Sequence, residues 1–443
     1  MSREMIEQRE HSNACINSAE SRKNKSEAQM RHSGIEWIGE IPKEWKVAKL
    51  KQLGSYINGY AFKPEDWSDS GKPIIRIQDL TGSFSNPNYF SGTIDNRYLI
   101  TKGDILVSWA ATLDAFIWSN EDGWLNQHIF KAVPDSCVNS HFFYWLIKVA
   151  MDNMNNDNKH GIVMQHVTVG LFGNFLVGVP SFSEQQKIAN HLDKVCGEVD
   201  EMIALQEQMI EELKAYKQSV ITEAVTKGLN PDLPMKDSGI DWIGEIPEHW
   251  DTRRIGNLFK LRDEKNYKPM DEVQLLSLYT GIGVFPHGEQ EERGNKAITV
   301  EGYKVVHKDD IVVNIILAWM GAIGVSNYDG VTSPAYDVYI PDLSKVVPHF
   351  FHYVFRTQGI AGECYKYGRG IMMMRWRTYS SEFKQIRVPF PSLEEQQSIA
   401  SYLDTKCAEI DALIAIKQSK IEELKEYKKS VIYEYVTGKK EVI

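Results

Sequence analysis

Along residues 180–228 the apolar positions step alternately by four and three: Ile188, Leu192, Val195, Val199 and Met202, then Met209, Leu213, Tyr216 and Val220. This heptad spacing keeps one face of a helix turned toward a partner helix. Ala189, Cys196, Ile203 and Ile210 fall beside that seam and widen the apolar face. Between Ser181 and Lys227 the only Gly or Pro is Gly197, and Gly228 stands where a helix would stop. At 1.5 Å per residue such a helix would be roughly 60 Å long. A stripe of that length has to be covered.

The same stretch returns at 391–437. Pro180 matches Pro391, Gln185 Gln396, Leu192 Leu403, Cys196 Cys407 and Tyr216 Tyr427, at a constant offset of 211. Leu403, Ile410, Leu413, Leu424 and Tyr427 carry the apolar face of the second copy. Self-pairing of the two copies is the expectation; the alternative is two separate helices, each on its own domain. Gln206 and Lys417 occupy equivalent seam positions and interrupt the apolar layers, as register-fixing polar residues do at a cost in stability.

The rest of the chain is duplicated more loosely. SGIEWIGEIPKEW (33–45) recurs as SGIDWIGEIPEHW (238–250), a turn-containing, Trp-rich clasp suited to docking on another element. Residues 46–179 and 251–390 each mix short β-type runs with a late helix beginning His-Phe-Phe, at His141 and His349. Asp104-Ile105-x-Val107 corresponds to Asp310-Ile311-x-Val313, but little else between these anchors is shared. The pattern predicts an α+β chain built as a pseudo-twofold tandem duplication. Its segments are a flexible tail (1–32), a globular part (33–179), a long helix (180–228), a linker with the second clasp (229–250), a second globular part (251–390), and a second long helix with its tail (391–443). Met30-Arg31-His32-Ser33-Gly34 matches Met235-Lys236-Asp237-Ser238-Gly239, so Met30 is a candidate start of the repeated unit, with 1–29 as an extension.

Composition narrows this picture. A chain of 443 residues exceeds one core, and no apolar run approaches the ~18 residues of a membrane span. The N-terminus lacks a signal-peptide layout. Five scattered cysteines, with no C-x-x-C pair, read as small buried hydrophobes in a reducing cytoplasm. A net charge of −10 argues against a generic nucleic-acid binder. The globular parts themselves are close to neutral, however: 11 Lys/Arg against 12 Asp/Glu in 46–179, and 18 against 16 in 251–390.

Catalytic signatures are missing. There is no phosphate-binding G-x-x-x-x-G-K-[ST], no complete dinucleotide fingerprint, no zinc spacing and no Asn/Asp-Pro-Pro-aromatic amino-methylation site. The best binding signal is Tyr365–Tyr379, where Lys366, Arg369, Arg375 and Arg377 alternate with Tyr367, Trp376 and the glycines Gly368 and Gly370. Cations neutralise phosphates, Arg reads guanine edges with two bonds, and Gly lets the backbone come close. The corresponding stretch of the first half offers Lys159, His160, Gln165 and His166.

With its doubled S-G-I-[ED]-W-I-G-E-I-P, doubled P-S-x-x-E-Q-Q, doubled E-E-L-K-x-Y-K-x-S-V-I and final V-T-G-K, the chain over about 30–443 resembles the specificity subunit of type I restriction–modification systems. The resemblance implies two target-recognition domains, each reading half of a bipartite double-stranded DNA sequence. It implies two long antiparallel coiled-coil helices that separate the domains as a ruler and dock two methylation subunits. S-adenosylmethionine would then sit on the methylation subunits, and ATP and Mg on restriction/translocase subunits. This chain would hold no cofactor or metal, catalyse nothing and work in the cytoplasm, away from membranes. The first domain departs from expectation in being nearly neutral, and the tail has no counterpart in the repeat. The rival reading is a coiled-coil scaffold joining protein partners without touching DNA.

Overall fold

The computed structural model describes residues 30–82, 87–109, 113–157, 169–288, 299–370 and 376–442. They form two compact units: Met1–Leu205 with Lys420–Ile443, and Gln206–Ser419. The candidate residues Lys159, His160, Gln165, His166 and Arg375 lie outside the described residues.

In the first unit, a hairpin of β1 (Met30–Ile35) and β2 (Gly39–Pro42) forms the first clasp. There follow β3 (Lys46–Lys49), β4 (Gly54–Asn58), β5 (Lys72–Ile75), the one-turn helix α1 (Ile77–Leu80), β6 (Tyr89–Phe90) and β7 (Leu99–Ile100). Next come β8 (Ile105–Ser108), β9 (Asp114–Ile117), β10 (Gly123–Leu125), β11 (Ile129–Pro134), α2 (Ser140–Asp157), α3 (Val169–Gly173) and β12 (Leu176–Val179), before the long helix α4 (Phe182–Lys227) begins. Two four-stranded sheets result, ordered β4-β11-β8-β9 and β6-β5-β10-β7, while β12 pairs with β3. The period-2 alternation of a strand explains why β8 is buried throughout. Ile105 and Val107 face the core beneath α2, and Leu106 faces a second cluster with Ile75, Ile100 and Leu125.

The second unit repeats the plan with β13 (Met235–Asp237), β14 (Glu245–Pro247), β15 (Asp251–Arg254), β16 (Phe259–Leu261), β17 (Leu276–Tyr279), β18 (Gly283–Pro286), β19 (Lys304–Val306) and β20 (Ile311–Asn314). It continues through β21 (Ile323–Val325), β22 (Gly330–Thr332), β23 (Tyr336–Pro341), α5 (Pro348–Val354), α6 (Gln358–Tyr367), the short α7 (Ser380–Phe383) and β24 (Arg387–Phe390) into the second long helix, α8 (Leu393–Val436). The sheet β16-β23-β20-β21 matches β4-β11-β8-β9, and β15-β24 matches β3-β12. The counterpart of the other sheet has split into the hairpin β17-β18 and the pair β19-β22. That is where the halves diverged.

The repeated P-S-x-x-E-Q-Q explains how each globular part is fixed to its helix. Ser392 and Glu395 form a reciprocal N-terminal cap: Glu395 N–H donates to Ser392 Oγ (3.2 Å), and the carboxylate accepts from Ser392 N–H (3.1 Å). Glu395 also accepts the indole N–H of Trp250 (3.0 Å), and Glu184 accepts that of Trp45 (3.1 Å), which ties each clasp to a helix start. Buried Gln185 and Gln396 accept the backbone N–H of Asn139 (2.9 Å) and Val347 (2.7 Å). About two turns further on, Asp193 binds His141 (2.6 Å) and Trp145 (2.8 Å), while Asp404 binds His349 (2.6 Å) and Tyr353 (2.6 Å). Two copies of one bracket orient two different domains.

Within each unit the paired helix segments run antiparallel. Lys428 binds Asp200 (2.6 Å) in the first unit and Lys217 binds Asp411 (2.7 Å) in the second. These are one pair seen twice, since Asp200 and Lys217 correspond to Asp411 and Lys428 at the offset of 211. Ile188, Leu192 and Val199 are buried, as are Leu403, Ile410 and Leu424, whereas Val195 and Leu213 are half-buried. The seam departs from expectation by one position. It takes Cys196, Ile203, Ile210 and Lys217 rather than Val195, Met202, Met209 and Tyr216, and it leaves Met202, Met209, Tyr216, Leu413 and Tyr427 exposed. Lys217 apart, both stripes are apolar, so heptad spacing alone cannot choose between them. Gln206 and Lys417 do lie on the seam, half-buried. They are not opposite each other: the Lys217–Asp411 register sets Lys417 near residue 211.

Candidate nucleic-acid interface

The basic stretch of the second unit is a braced hairpin. Helix α6 stops at Gly368, where a Cβ would come within 2.3 Å of the Trp376 indole nitrogen. Beyond it, Arg369 and Arg377 exchange both backbone hydrogen bonds (2.9 Å each), closing the neck of a loop whose tip, 371–375, lies outside the described residues. Trp376 stacks on Tyr365 at 5.1 Å and donates its indole N–H to the Tyr365 carbonyl (3.0 Å). Trp319, on the β20–β21 connection, meets the Tyr365 ring at 6.1 Å, tilted by 59°. Fully buried Thr378 pins the neck: its N–H donates to Ile315 O (2.9 Å) and its hydroxyl to Cys364 O (2.9 Å).

Lys366, Tyr367, Arg369 and Gly370 are exposed on this frame, with Trp376 and Arg377 half-buried beside them. Arg369 pairs with Glu382, whose carboxyl is held below its ordinary range by the Ser381 hydroxyl first, against the cost of desolvation, and then by its own backbone N–H and the Arg369 charge. Among the described residues Lys366 has only a loose neighbour, Glu363 at 3.4 Å. Leu317, Met320 and Tyr379 are exposed on adjoining segments of the chain and add apolar surface. Exposed apolar and aromatic groups rimmed by cations mark a binding surface rather than a core.

Sequence reasoning missed three features of the two units. The β20–β21 connection supports the hairpin through Trp319, and its signal was an apolar Leu317-Ala318-Trp319-Met320 run after a strand. The Asp–Lys helix pairs were legible in principle, because both residues are retained in both copies. Cys137, on a turn, is exposed, unlike the buried Cys196, Cys364 and Cys407. Among the described residues no helix is long and apolar enough to cross a membrane.

A duplicated fold with the same bracket in both halves, and a basic aromatic hairpin on one of them, defines a two-headed recognition protein. The family model of the type I restriction modification DNA specificity domain matches residues 42–215 and again 247–426, and the chain belongs to that family. It is 27% identical over 419 residues to the type I restriction enzyme EcoBI specificity subunit of Escherichia coli, covering 88% of this chain and 85% of that one. The MjaVIII specificity subunit of Methanocaldococcus jannaschii is 23% identical, over 90% and 93% of the two chains. A solved chain from work on complex assembly and conformational transition of the type I R-M system superposes with a TM-score of 0.66 at 14% identity, over 91% of this chain and 99% of that one, which establishes the fold.

Proposed function

We propose that this chain is the DNA-specificity subunit of a type I restriction–modification complex and not itself an enzyme. Each globular part reads one half of a bipartite double-stranded target. The observation that carries this reading is the double match to a DNA specificity domain, each copy held by the same Glu–Trp, Gln–backbone and Asp–His bonds to a long helix. In the second domain Lys366, Arg369, Arg375 and Arg377 meet DNA, with Tyr367, Trp376 and Gly370 shaping the approach. In the first, Lys159, His160, Gln165 and His166 sit on the equivalent stretch. The helices α4 and α8 act as a ruler, with Gln206 and Lys417 helping to hold register. The outward residues Tyr216, Leu413 and Tyr427 belong to a docking face for two methylation subunits. Those subunits supply S-adenosylmethionine, and restriction subunits supply ATP and Mg, in the cytoplasm.

The test uses the chain assembled with its methylation subunits, selecting from randomised duplexes over a salt series. A specificity subunit enriches a bipartite motif, with half-sites roughly one helical turn (~34–36 Å) apart. Its affinity falls with salt by a slope of about 0.9 per neutralised phosphate. A protein-only scaffold enriches nothing. Inserting four residues, about one turn, into α4 should change the tolerated spacer or abolish binding. Unchanged spacer and affinity would sink the ruler.

A further inference from the structure

The first globular part holds only two arginines between residues 46 and 179, Arg76 and Arg97. Both come to the same end of the sheet β6-β5-β10-β7. β10 runs parallel to β5 (Trp124 with Ile74, Leu125 with Ile75) and antiparallel to β7 (Gly123 with Ile100, Trp124 with Leu99). The residue following β5 and the residues preceding β7 therefore share one edge with the turn that follows β10. Arg76 is that first residue, Arg97 lies in the turn before β7, and Gln127 and His128 are exposed on the turn between them. Two strand spacings separate the arginine backbones by roughly 10 Å.

Each guanidinium sits over an aromatic ring. Arg76 lies 5.0 Å from the centroid of Trp67, itself 46% exposed. Arg97 lies 4.7 Å from that of Tyr98 and donates to the Tyr98 hydroxyl at 2.7 Å. Among the described residues neither is consumed by a strong ion pair. No described carboxylate bridges the Arg76 side chain, although Asp79, which accepts the Arg76 backbone N–H (2.7 Å), lies close enough for their charges to interact. Among the described residues Arg97 has only Asp95, at 3.7 Å with both side chains more than half exposed. The lysines Lys131 and Lys148 of the same domain, by contrast, are tied down by Asp104 (2.9 Å) and Asp114 (2.7 Å). The frame under the arginines is fixed: Gln127 N–H donates to Tyr60 O (2.9 Å), and the Tyr60 and Tyr98 rings meet at 5.6 Å.

A second observation ties this edge to the interface of the other half. The β8–β9 connection, the counterpart of the β20–β21 connection that braces the basic hairpin, carries Trp109, and Trp109 meets His128 at 5.9 Å. A planar fork held over an aromatic ring, with N–H donors that can meet two acceptors, suits the O6 and N7 of guanine, and Arg97 would exchange its bond to the Tyr98 hydroxyl for them. We propose that this sheet edge is the base-reading surface of the first domain, with Arg76 and Arg97 as guanine-reading forks. The inference rests on the DNA-recognition reading above. With backbones roughly 10 Å apart and ~3.4 Å per base step, the two forks address different base pairs of one half-site.

The test takes the full chain assembled with its methylation subunits and repeats the selection with Arg76→Ala, Arg97→Ala, Arg76→Lys, Lys102→Ala and Arg377→Ala. Each arginine truncation should lower affinity for the selected duplex by roughly 5- to 150-fold and relax one position, in the half-site that Arg377→Ala leaves intact. The two relaxed positions should be different base pairs of the same half-site. Arg76→Lys keeps the charge but loses the fork, so it should relax the same position while non-specific binding stays at the wild-type level. Lys102, beyond the opposite end of β7, serves as the control and should change nothing. Assembled variants that retain wild-type affinity and motif, or lose affinity equally for all sequences with the motif unchanged, overturn the inference. If the wild type itself selects no sequence, the DNA-recognition reading fails as well. If the wild type selects and Arg377→Ala alters one half-site while Arg76 and Arg97 are silent, only this inference falls.

Discussion

Glu395 shows how much one retained side chain can hold. Burial alone would raise its carboxyl pKa, but hydrogen bonds from Trp250, His249 and Ser392 overcome that and bring it to about 2, below its ordinary 4.5. A carboxylate whose folded pKa is depressed adds stability that is complete above its unfolded pKa and is lost as pH falls through the folded one. The second clasp should therefore loosen between about pH 4.5 and pH 2. The indole N–H resonance of Trp250, followed by NMR in Trp-labelled protein, should report that transition, and Glu395→Gln should remove the pH dependence from this window. A Trp250 signal unchanged down to pH 2 would show that the carboxylate is not the fastening.

At the scale of elements, the two long helices owe their alignment to paired charges as well as to apolar layers. Lys428 and Lys217 are each about three-quarters buried, while their partners Asp200 and Asp411 remain more than half exposed. After discounting for solvent screening, each pair is worth about 0.5–1 kcal/mol. Lys428→Asp should lower the melting temperature of the first unit by a few degrees, and adding Asp200→Lys should restore most of it. A double-mutant cycle with no coupling would mean that the layers alone set the register. Both helices end on a glycine with positive φ, Gly228 (77°) and Gly438 (73°). A side chain at 438 would meet Pro42 at 2.5 Å, so the stop also lets a clasp close over the helix end.

At the scale of the molecule, each unit is assembled from both repeats. The first clasp packs on the last turns of α8: Tyr433 donates to Trp37 O (2.9 Å), Lys439 to Glu40 O (2.6 Å), and Val431, Ile432, Tyr435 and Val436 are buried in that core. The second clasp packs on the last turns of α4, where Val220, Ile221, Ala224 and Val225 do the same work. Ending the chain at residue 430 removes four large buried side chains from the first unit. At ~1.5–3 kcal/mol each, the loss rivals the whole stability of a domain, about 5–15 kcal/mol. Hydrogen exchange should then show residues 30–205 unprotected from β1 through the first half of α4, with protection retained in the second unit. Equal protection in both units would mean that the first clasp does not need α8.

The sequence by itself determined the duplication, the two long helices with their glycine stops, the Trp clasps and the family. All of these rest on local periodicity or on identity between copies, which a single chain displays. The tertiary structure decided what no local signal carries. It chose Cys196, Ile203 and Ile210 over Met202 and Met209 for the seam, because neighbouring apolar stripes differ only in what covers them. It joined Trp37 to Tyr433 and Asp200 to Lys428 across more than two hundred residues. It gathered Arg76 and Arg97, twenty-one positions apart, at one sheet edge, because strand order and direction, not spacing in the chain, determine which residues become neighbours.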